Sequence, residues 1–387
     1  MQNRDFIVFG KPLIEKDEID DVVDSLEKGW LGTGPKVAQF EKNFSIYKNV
    51  PYAVALNSCT AGLHLCCVAL NLIPGDEVIT TAMTFCATVN AIIHSGATPV
   101  IVDIDPNTWN IDPVEIEKKI TSKTKAIIPV HFAGRACEMD SIVAIAKKYN
   151  LHIIEDCAHA IETEYKGKKA GTFGDFGVFS FYATKNISTG EGGMVIGSNE
   201  EMISHIKRLA LHGMSKDAWK RFSDEGFKHY YVEEAGFKYN MMDIQAAIGI
   251  HQLEKINKMA EKRAAIWNMY MEAFKDLPIG LPASIEPNTK HAYHLFTLLL
   301  DKEKTGISRD EMLNRMTQRK IGVGVHYLAI PEHPYYQKTF GWKTAEYPNA
   351  VSFGQSTLSI PISPKLTFNE VDYIIESVLD IIKNKLI

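Results

Sequence analysis

The chain has 387 residues, 45% hydrophobic and 23% charged. That is ordinary globular composition, so collagen-like, low-complexity and wholly disordered architectures are excluded and two or three domains are expected. With 42 Lys+Arg against 47 Asp+Glu the formal net charge is −5, which carries no bulk electrostatic footprint for nucleic acid. No apolar run is long enough to span a membrane, and the first residues, Met1 to Asp5, form no apolar leader. The six cysteines (Cys59, Cys66, Cys67, Cys86, Cys137 and Cys157) contain no C-x-x-C pair. A cytoplasmic protein with free buried thiols, no membrane partner and no metal is expected.

In chain order, short apolar runs alternate with stretches of helical periodicity. Strands are predicted at Tyr52–Leu56, Glu77–Thr81, Thr98–Asp103, Ala126–His131 and Leu151–Glu155. Helices are predicted at Thr60–Asn71, Thr84–His94, Asp112–Ile120 and Met139–Lys148. This rhythm predicts an α/β fold with a mostly parallel sheet covered on both faces. A hairpin follows at Thr163–Lys169, then strands at Gly177–Phe181 and Met194–Gly197. Helices are expected over Glu200–Leu211 and Met242–Lys275. The polar and aromatic stretch Ser215–Ala235 between them is too long for a casual connection and is assigned to function or partner contact. From Pro278 the pattern is strand (His294–Leu300), helix (Ser308–Arg319), strand (Gly322–Tyr327) and helix (Asn369–Lys383), a smaller α+β domain. The division is drawn at 1–255 and 256–387.

Ligands of open α/β sheets bind beyond the carboxyl ends of strands. Five groups fall there: Asn57-Ser58-Cys59-Thr60, Thr84-Phe85, His131, Asp156 with His159, and Ser180 through Lys185. Hydroxyls and free N–H groups where Asn57–Gly62 enters a helix make either a phosphate seat or a plain N-cap. Asp156 either holds a ligand cation or caps a helix, and His159 either acts on a ligand or packs. Lys185 is delivered by an apolar strand into the glycine-rich stretch Thr189–Gly193, where an amine of lowered pKa can form a Schiff base. The alternative is a solvated lysine. Arg208, Lys216, Lys220 and Arg221 are candidate cations for a carboxylate or pyrophosphate, or else a solvated basic stretch. No P-loop is present, and Gly29–Gly34 follows a helix, so it is not a dinucleotide fingerprint. Together, a phosphate seat, an aromatic after a strand, a strand-end Asp and a lysine 29 residues later are the parts that pyridoxal 5′-phosphate requires.

Five segments resemble the DegT family, fold-type I PLP-dependent nucleotide-sugar aminotransferases: Asn57–Ala61, Glu155–Ala160, Gly171–Asp175, Phe179–Asn186 and Gly190–Met194. The resemblance runs from about residue 10 to the C-terminus. It implies that Lys185 holds the cofactor covalently and that Asp156 partners the pyridine nitrogen. It further implies that Phe85 stacks on the ring, that His159 lies near the ring oxygen, and that Ser58, Thr60, Ala61 and Ser180 seat the phosphate. It implies a homodimer with shared active sites, Asn240 touching the partner's phosphate. Trp30, Thr33 and Gly34, with His326 and Tyr327, resemble sugar-nucleotide contacts; Lys216 and Arg221 join them as candidate cations. Lys238-Tyr239-Asn240 replaces the more frequent Asn-Tyr-Arg, and His159 a frequent Gln. These variants are similar to enzymes that aminate C4 of UDP-linked 4-keto sugars, with L-glutamate as the usual donor. A non-catalytic or regulatory sugar-binding protein on the same fold is the alternative; Lys185 and Asp156 speak against it.

Overall fold

The computed structural model describes residues 4–215 and 230–383. Two helices, α1 (Lys16–Glu27) and α2 (Pro35–Lys48), open the chain. Then come β1 (Tyr52–Leu56), α3 (Cys59–Ala69), β2 (Glu77–Thr81), α4 (Cys86–His94), β3 (Thr98–Val102), α5 (Pro113–Lys119), β4 (Thr124–Ile128), α6 (Met139–Tyr149) and β5 (His152–Asp156). A small hairpin, β6 (Glu164–Tyr165) and β7 (Lys168–Lys169), precedes β8 (Phe176–Ser180), β9 (Gly193–Gly197) and α7 (Glu200–Leu209). α8 (Asp243–Glu254) and α9 (Ile256–Phe274) lead to β10 (Phe296–Leu299), α10 (Lys302–Thr305), α11 (Arg309–Gln318), α12 (Pro334–Phe340), α13 (Pro348–Ser356), β11 (Thr357–Ile360) and α14 (Phe368–Lys383).

The seven-stranded sheet has the order β1-β9-β8-β5-β4-β2-β3. Only β9 runs against its neighbours; the remaining pairs are parallel. Side chains alternate across the sheet, as the strand period of two requires. Val54, Leu56, Ile154, Val178 and Val195 pack on one face against Leu63 and Cys66 of α3 and Ile206 of α7. Ala55, Phe179, Met194 and Ile196 pack on the other against Phe40 and Phe44 of α2 and Ile250 of α8. Both faces are covered, so the strands read as continuous apolar runs.

The smaller α+β domain is built on the antiparallel pair β10–β11, with α9, α11 and α14 closing its core around Phe296, Leu358, Trp267 and Ile374. The N-terminal segment belongs to this core. Ile7 is buried in it, its N–H donates to the Lys320 carbonyl at 2.8 Å, and its carbonyl accepts from Gly322 at 2.8 Å.

Most predicted elements lie within two residues of the observed bounds at each end, and three differ by more. Ala126–His131 ends as a strand at Ile128, because Pro129 lacks the N–H a ladder needs. The Met242–Lys275 run is two helices, interrupted at Lys255. Gly322–Tyr327 is not a strand: it meets β11 only at the Gly324–Ser359 bridge and then turns away, with His326 and Tyr327 lining a cavity. Among the described residues no helix is long and apolar enough to cross a membrane. Five cysteines are buried, Cys86 is half-buried, and all six are free.

Under β5 lies a buried polar knot. The fully buried Glu155 accepts the N–H groups of Gly171 (2.7 Å), Phe173 (2.6 Å) and Gly174 (2.9 Å). His131 Nδ1 accepts the Cys137 N–H at 3.0 Å, so its Nε2 carries the proton and donates to Glu155 at 3.0 Å. Burial opposes ionisation of Glu155, yet the His131 contact and the amides bring its carboxyl below the ordinary value. Gly171 has φ +87°, and a Cβ on Gly177 would lie 2.4 Å from its Cα. The loop can therefore close on Glu155 only with glycine at both positions. Glu155→Ala strands three backbone donors and should cost about 3 kcal/mol or more. The change would be read as a lowered urea midpoint at unchanged slope; an unaltered midpoint would refute the account.

Candidate active site

Since all large-sheet strands but β9 run the same way, the ends of β1, β2, β5 and β8 come out on one edge. There they surround a cavity of about 500 Å³. Ser58, Thr60, Phe85, Asp156, His159, Ser180, Lys185, His326 and Tyr327 all line it. The reversed β9 brings its first residue to the same edge, where Gly193 pairs with both Leu56 and Ser180. A Cβ on Gly193 would stand 2.4 Å from the Ser58 carbonyl carbon, so the turn into α3 rests directly on this glycine.

Ser58 is the N-cap of α3, and its Oγ accepts the Ala61 N–H at 3.1 Å. Ala61 is buried and off the cavity, its amide already used. The amides of Cys59 and Thr60, in the first turn, have no intrahelical partner. They form the positive end of an 11-residue helix.

Asp156 ends β5, buried. Thr88 Oγ1 donates to its Oδ2 at 2.9 Å and the Ala158 N–H to its Oδ1 at 3.0 Å. Thr84 lies 2.8 Å from Thr88; since Thr88 spends its proton on Asp156, Thr84 is the donor. Burial pushes the Asp156 carboxyl above its ordinary value, partly offset by these contacts and by Lys185. Lys185 follows β8 in a turn closed by its N–H on the Tyr182 carbonyl at 2.9 Å. Burial lowers its ammonium to about 8, opposed by the neighbouring Cys59 and Asp156.

His159 Nδ1 accepts the Ala133 N–H at 3.2 Å, so Nε2 carries the proton toward Tyr327 Oη at 3.0 Å. Burial, with Lys185 nearby, holds His159 well below the ordinary histidine value. Aromatic rings form one wall: Phe85 lies 5.6 Å from Tyr327, and Phe9 stacks on His326 at 5.2 Å. Phe9 arrives there through the stitch of Ile7 to the small domain.

Other predicted site residues lie elsewhere on the chain. Thr33 Oγ1 donates to the Met241 carbonyl and accepts from Asn240 Nδ2 at 2.6 Å. Gly34 is the N-cap of α2, its N–H donating to Asp243 at 2.7 Å. Trp30 is exposed. These four do not line the cavity of their own chain. Lys216, Lys220 and Arg221 lie outside the described residues, and Arg208 is paired with Glu234 at 2.8 Å. Thr88, His294 and Phe9 also line the cavity and are not among the residues to which the sequence motifs point. Thr88 is one helical turn beyond Thr84, which is the signal that was available.

A sequence profile described as the DegT/DnrJ/EryC1/StrS aminotransferase family matches residues 12–379. The chain belongs to that family. It is 48% identical over 379 residues to the spore coat polysaccharide biosynthesis protein SpsC of Bacillus subtilis, covering 98% of this chain and 97% of that one. Among solved structures, the PLP form of the putative sugar aminotransferase Spr1654 from Streptococcus pneumoniae superposes with a TM-score of 0.91 at 34% identity, covering 99% and 100% of the two chains. PseC of Helicobacter pylori, an aminotransferase involved in the biosynthesis of pseudoaminic acid, gives 0.90 at 30% identity over 98% and 100%. The fold is therefore that of the fold-type I enzymes, the activity is that of an aminotransferase, and the cofactor is pyridoxal 5′-phosphate.

The lowered pKa of Lys185 gives a direct pH expectation. Only the neutral amine attacks a carbonyl, and its fraction rises with pH. In cofactor-free protein the rate of Lys185 modification by a small aldehyde should rise to a half-point near pH 8 and then level. A rate still climbing at pH 10 would return Lys185 to an ordinary lysine.

Proposed function

We propose that this DegT-family enzyme moves the amino group of L-glutamate to C4 of a UDP-linked 4-keto sugar, giving a 4-amino sugar nucleotide for surface polysaccharide biosynthesis. The observation that carries the chemistry is a lysine of lowered pKa and a buried carboxylate sharing one cavity with a helix N-terminus. The sugar reading is supported by the aromatic wall and by the names of the relatives, which concern polysaccharide, sugar and pseudoaminic acid. The C4 and UDP reading is supported by His159 and the Lys238-Tyr239-Asn240 variant.

The residues fit the cofactor. Asp156 has two donors and spare lone pairs, in a site where burial penalises an unpaired carboxylate. The free amides of α3, with the Ser58, Thr60 and Ser180 hydroxyls, suit a phosphate. Bound there, pyridoxal 5′-phosphate supplies a carbonyl that carries the amino group and a protonated ring that acts as electron sink. Lys185 Nζ is assigned the covalent hold and, when free, the acceptance and return of a proton. Asp156 holds the proton on the ring nitrogen. Phe85 is assigned to the ring face and excludes water with Tyr327. The His159 Nε2–H is assigned to the ring oxygen, in place of its contact with Tyr327 Oη. Ala61 shapes the phosphate seat rather than donating to it. His326 and Tyr327 are assigned to the sugar nucleotide, with Trp30, Thr33, Gly34, Lys216 and Arg221. Asn240 and the Trp30–Gly34 loop then act in a homodimer, each chain completing its partner's site.

The purified PLP form should lose its visible band on addition of L-glutamate alone. A UDP-linked 4-keto-6-deoxyhexose should restore the band, and Lys185→Ala should do neither. A band indifferent to glutamate overturns the donor; restoration only by a keto sugar on another nucleotide overturns the carrier. Thr88→Val removes one hydrogen bond to a charged group and should weaken PLP binding about tenfold. Titration of the cofactor-free protein checks this, and unchanged affinity would detach Asp156 from the cofactor.

A further inference from the structure

We infer that His294 contacts the substrate, offering its Nε2 as a permanent hydrogen-bond acceptor to a hydroxyl of the carbohydrate in the Lys185 cavity, and that Asn186 is the positioning residue that sets this tautomer. The inference rests on the sugar reading above. His294 is buried, lines the cavity, and has its Nδ1 2.9 Å from Asn186 Oδ1.

The amide of Asn186 cannot be turned round. Its Nδ2 lies 2.9 Å from each carboxylate oxygen of Glu162 and 2.8 Å from the Ala292 carbonyl. Three acceptors surround that atom, so it must be the nitrogen. The atom facing His294 is then the amide oxygen, which only accepts. His294 Nδ1 must donate, and Nε2 is left with its lone pair. Among the described residues Nε2 has no hydrogen-bond partner, and it is not sealed from the cavity.

An amide here has a different effect from a carboxylate. An Asp opposite Nδ1 would stabilise the imidazolium; an Asn does not. The groups around the ring act in the same direction. Burial is the largest influence, and His159, Lys185, Arg263 and His326 all disfavour a positive charge on His294. Glu162 is turned to Asn186, with Arg263 Nη1 3.9 Å away. A lone pair held in this position attracts a hydroxyl and repels a carboxylate. It therefore distinguishes the sugar from the amino donor, which enters the same cavity. The His159 ring lies 4.4 Å from His294, so a phenyl group at 294 keeps the ring contact while removing the acceptor.

Two measurements test this on the PLP-loaded protein. With ¹⁵N-labelled histidine, the His294 signal, assigned by its loss in His294→Phe, should be that of a neutral ring protonated on Nδ1 from about pH 5.5 to 8.5. A ring protonated on Nε2, or an imidazolium, overturns the inference. In stopped-flow half-reactions, His294→Phe should lower kcat/KM for the UDP-linked 4-keto-6-deoxyhexose about tenfold more than for L-glutamate. His294→Gln, which retains an acceptor, should recover part of the loss. Equal losses in both halves, or none, overturn the carbohydrate contact. If the unmodified enzyme rejects that sugar, the proposed function fails, while the tautomer measurement still decides the His294–Asn186 arrangement.

Discussion

The site depends on two consecutive carboxylates at the end of β5. Strand geometry sends neighbouring side chains to opposite faces, so Glu155 and Asp156 are buried in different surroundings. Glu155 is saturated by protein: three amides and one imidazole leave it no capacity for a ligand. Asp156 receives one hydroxyl and one amide, and its carboxyl is raised by burial. A buried carboxylate left in that condition is stabilised by a cation. The first carboxylate therefore holds the glycine loop beneath the sheet, and the second leaves a carboxylate with spare lone pairs at the sheet edge.

The reversal of β9 is the second constraint. Were β9 parallel like the rest, its first residue would lie at the far edge and the Gly192–Gly193 backbone could not support the Ser58–Cys59 turn. With β9 reversed, Leu56, Ser180 and Gly193 meet in register at the end of the sheet. The helix N-terminus of α3 and the Lys185 turn are thereby fixed on β1 and β8, the two strands that flank β9.

Much of this was legible because the relevant residues follow strands directly. Asp156 and Ser180 end an apolar strand, Ser58, Phe85 and Lys185 follow one within a few residues, and a parallel sheet gathers such positions. What was not legible depends on contacts distant in sequence. Phe9 reaches the cavity only because Ile7 is bonded to Lys320 and Gly322, more than 300 residues away. His294 precedes its strand, whereas attention to carboxyl ends selects residues that follow one. The sequence pattern puts Tyr327 at a strand terminus, yet its segment leaves the sheet after Gly324. Pro129 could have shortened its strand on inspection, since its missing N–H is a property of the residue alone.

The cavity also limits which group can move protons. His159 and His294 are held well below the ordinary histidine value and His326 falls to about 3, burial being the largest cause in each case. Burial raises Tyr327 above its ordinary value, so it stays protonated. Near neutral pH, therefore, three imidazoles and a phenol keep one protonation state, and they serve as fixed donors or acceptors. Lys185, at about 8, changes state in that range. Under the proposed function, taking a proton from one substrate and returning it to another gains from this separation. One group titrates, and the polar groups around it direct hydrogen bonds without competing for the proton. The same burial that lowers the lysine keeps the histidines neutral, so both properties follow from closing the sheet edge with aromatic side chains.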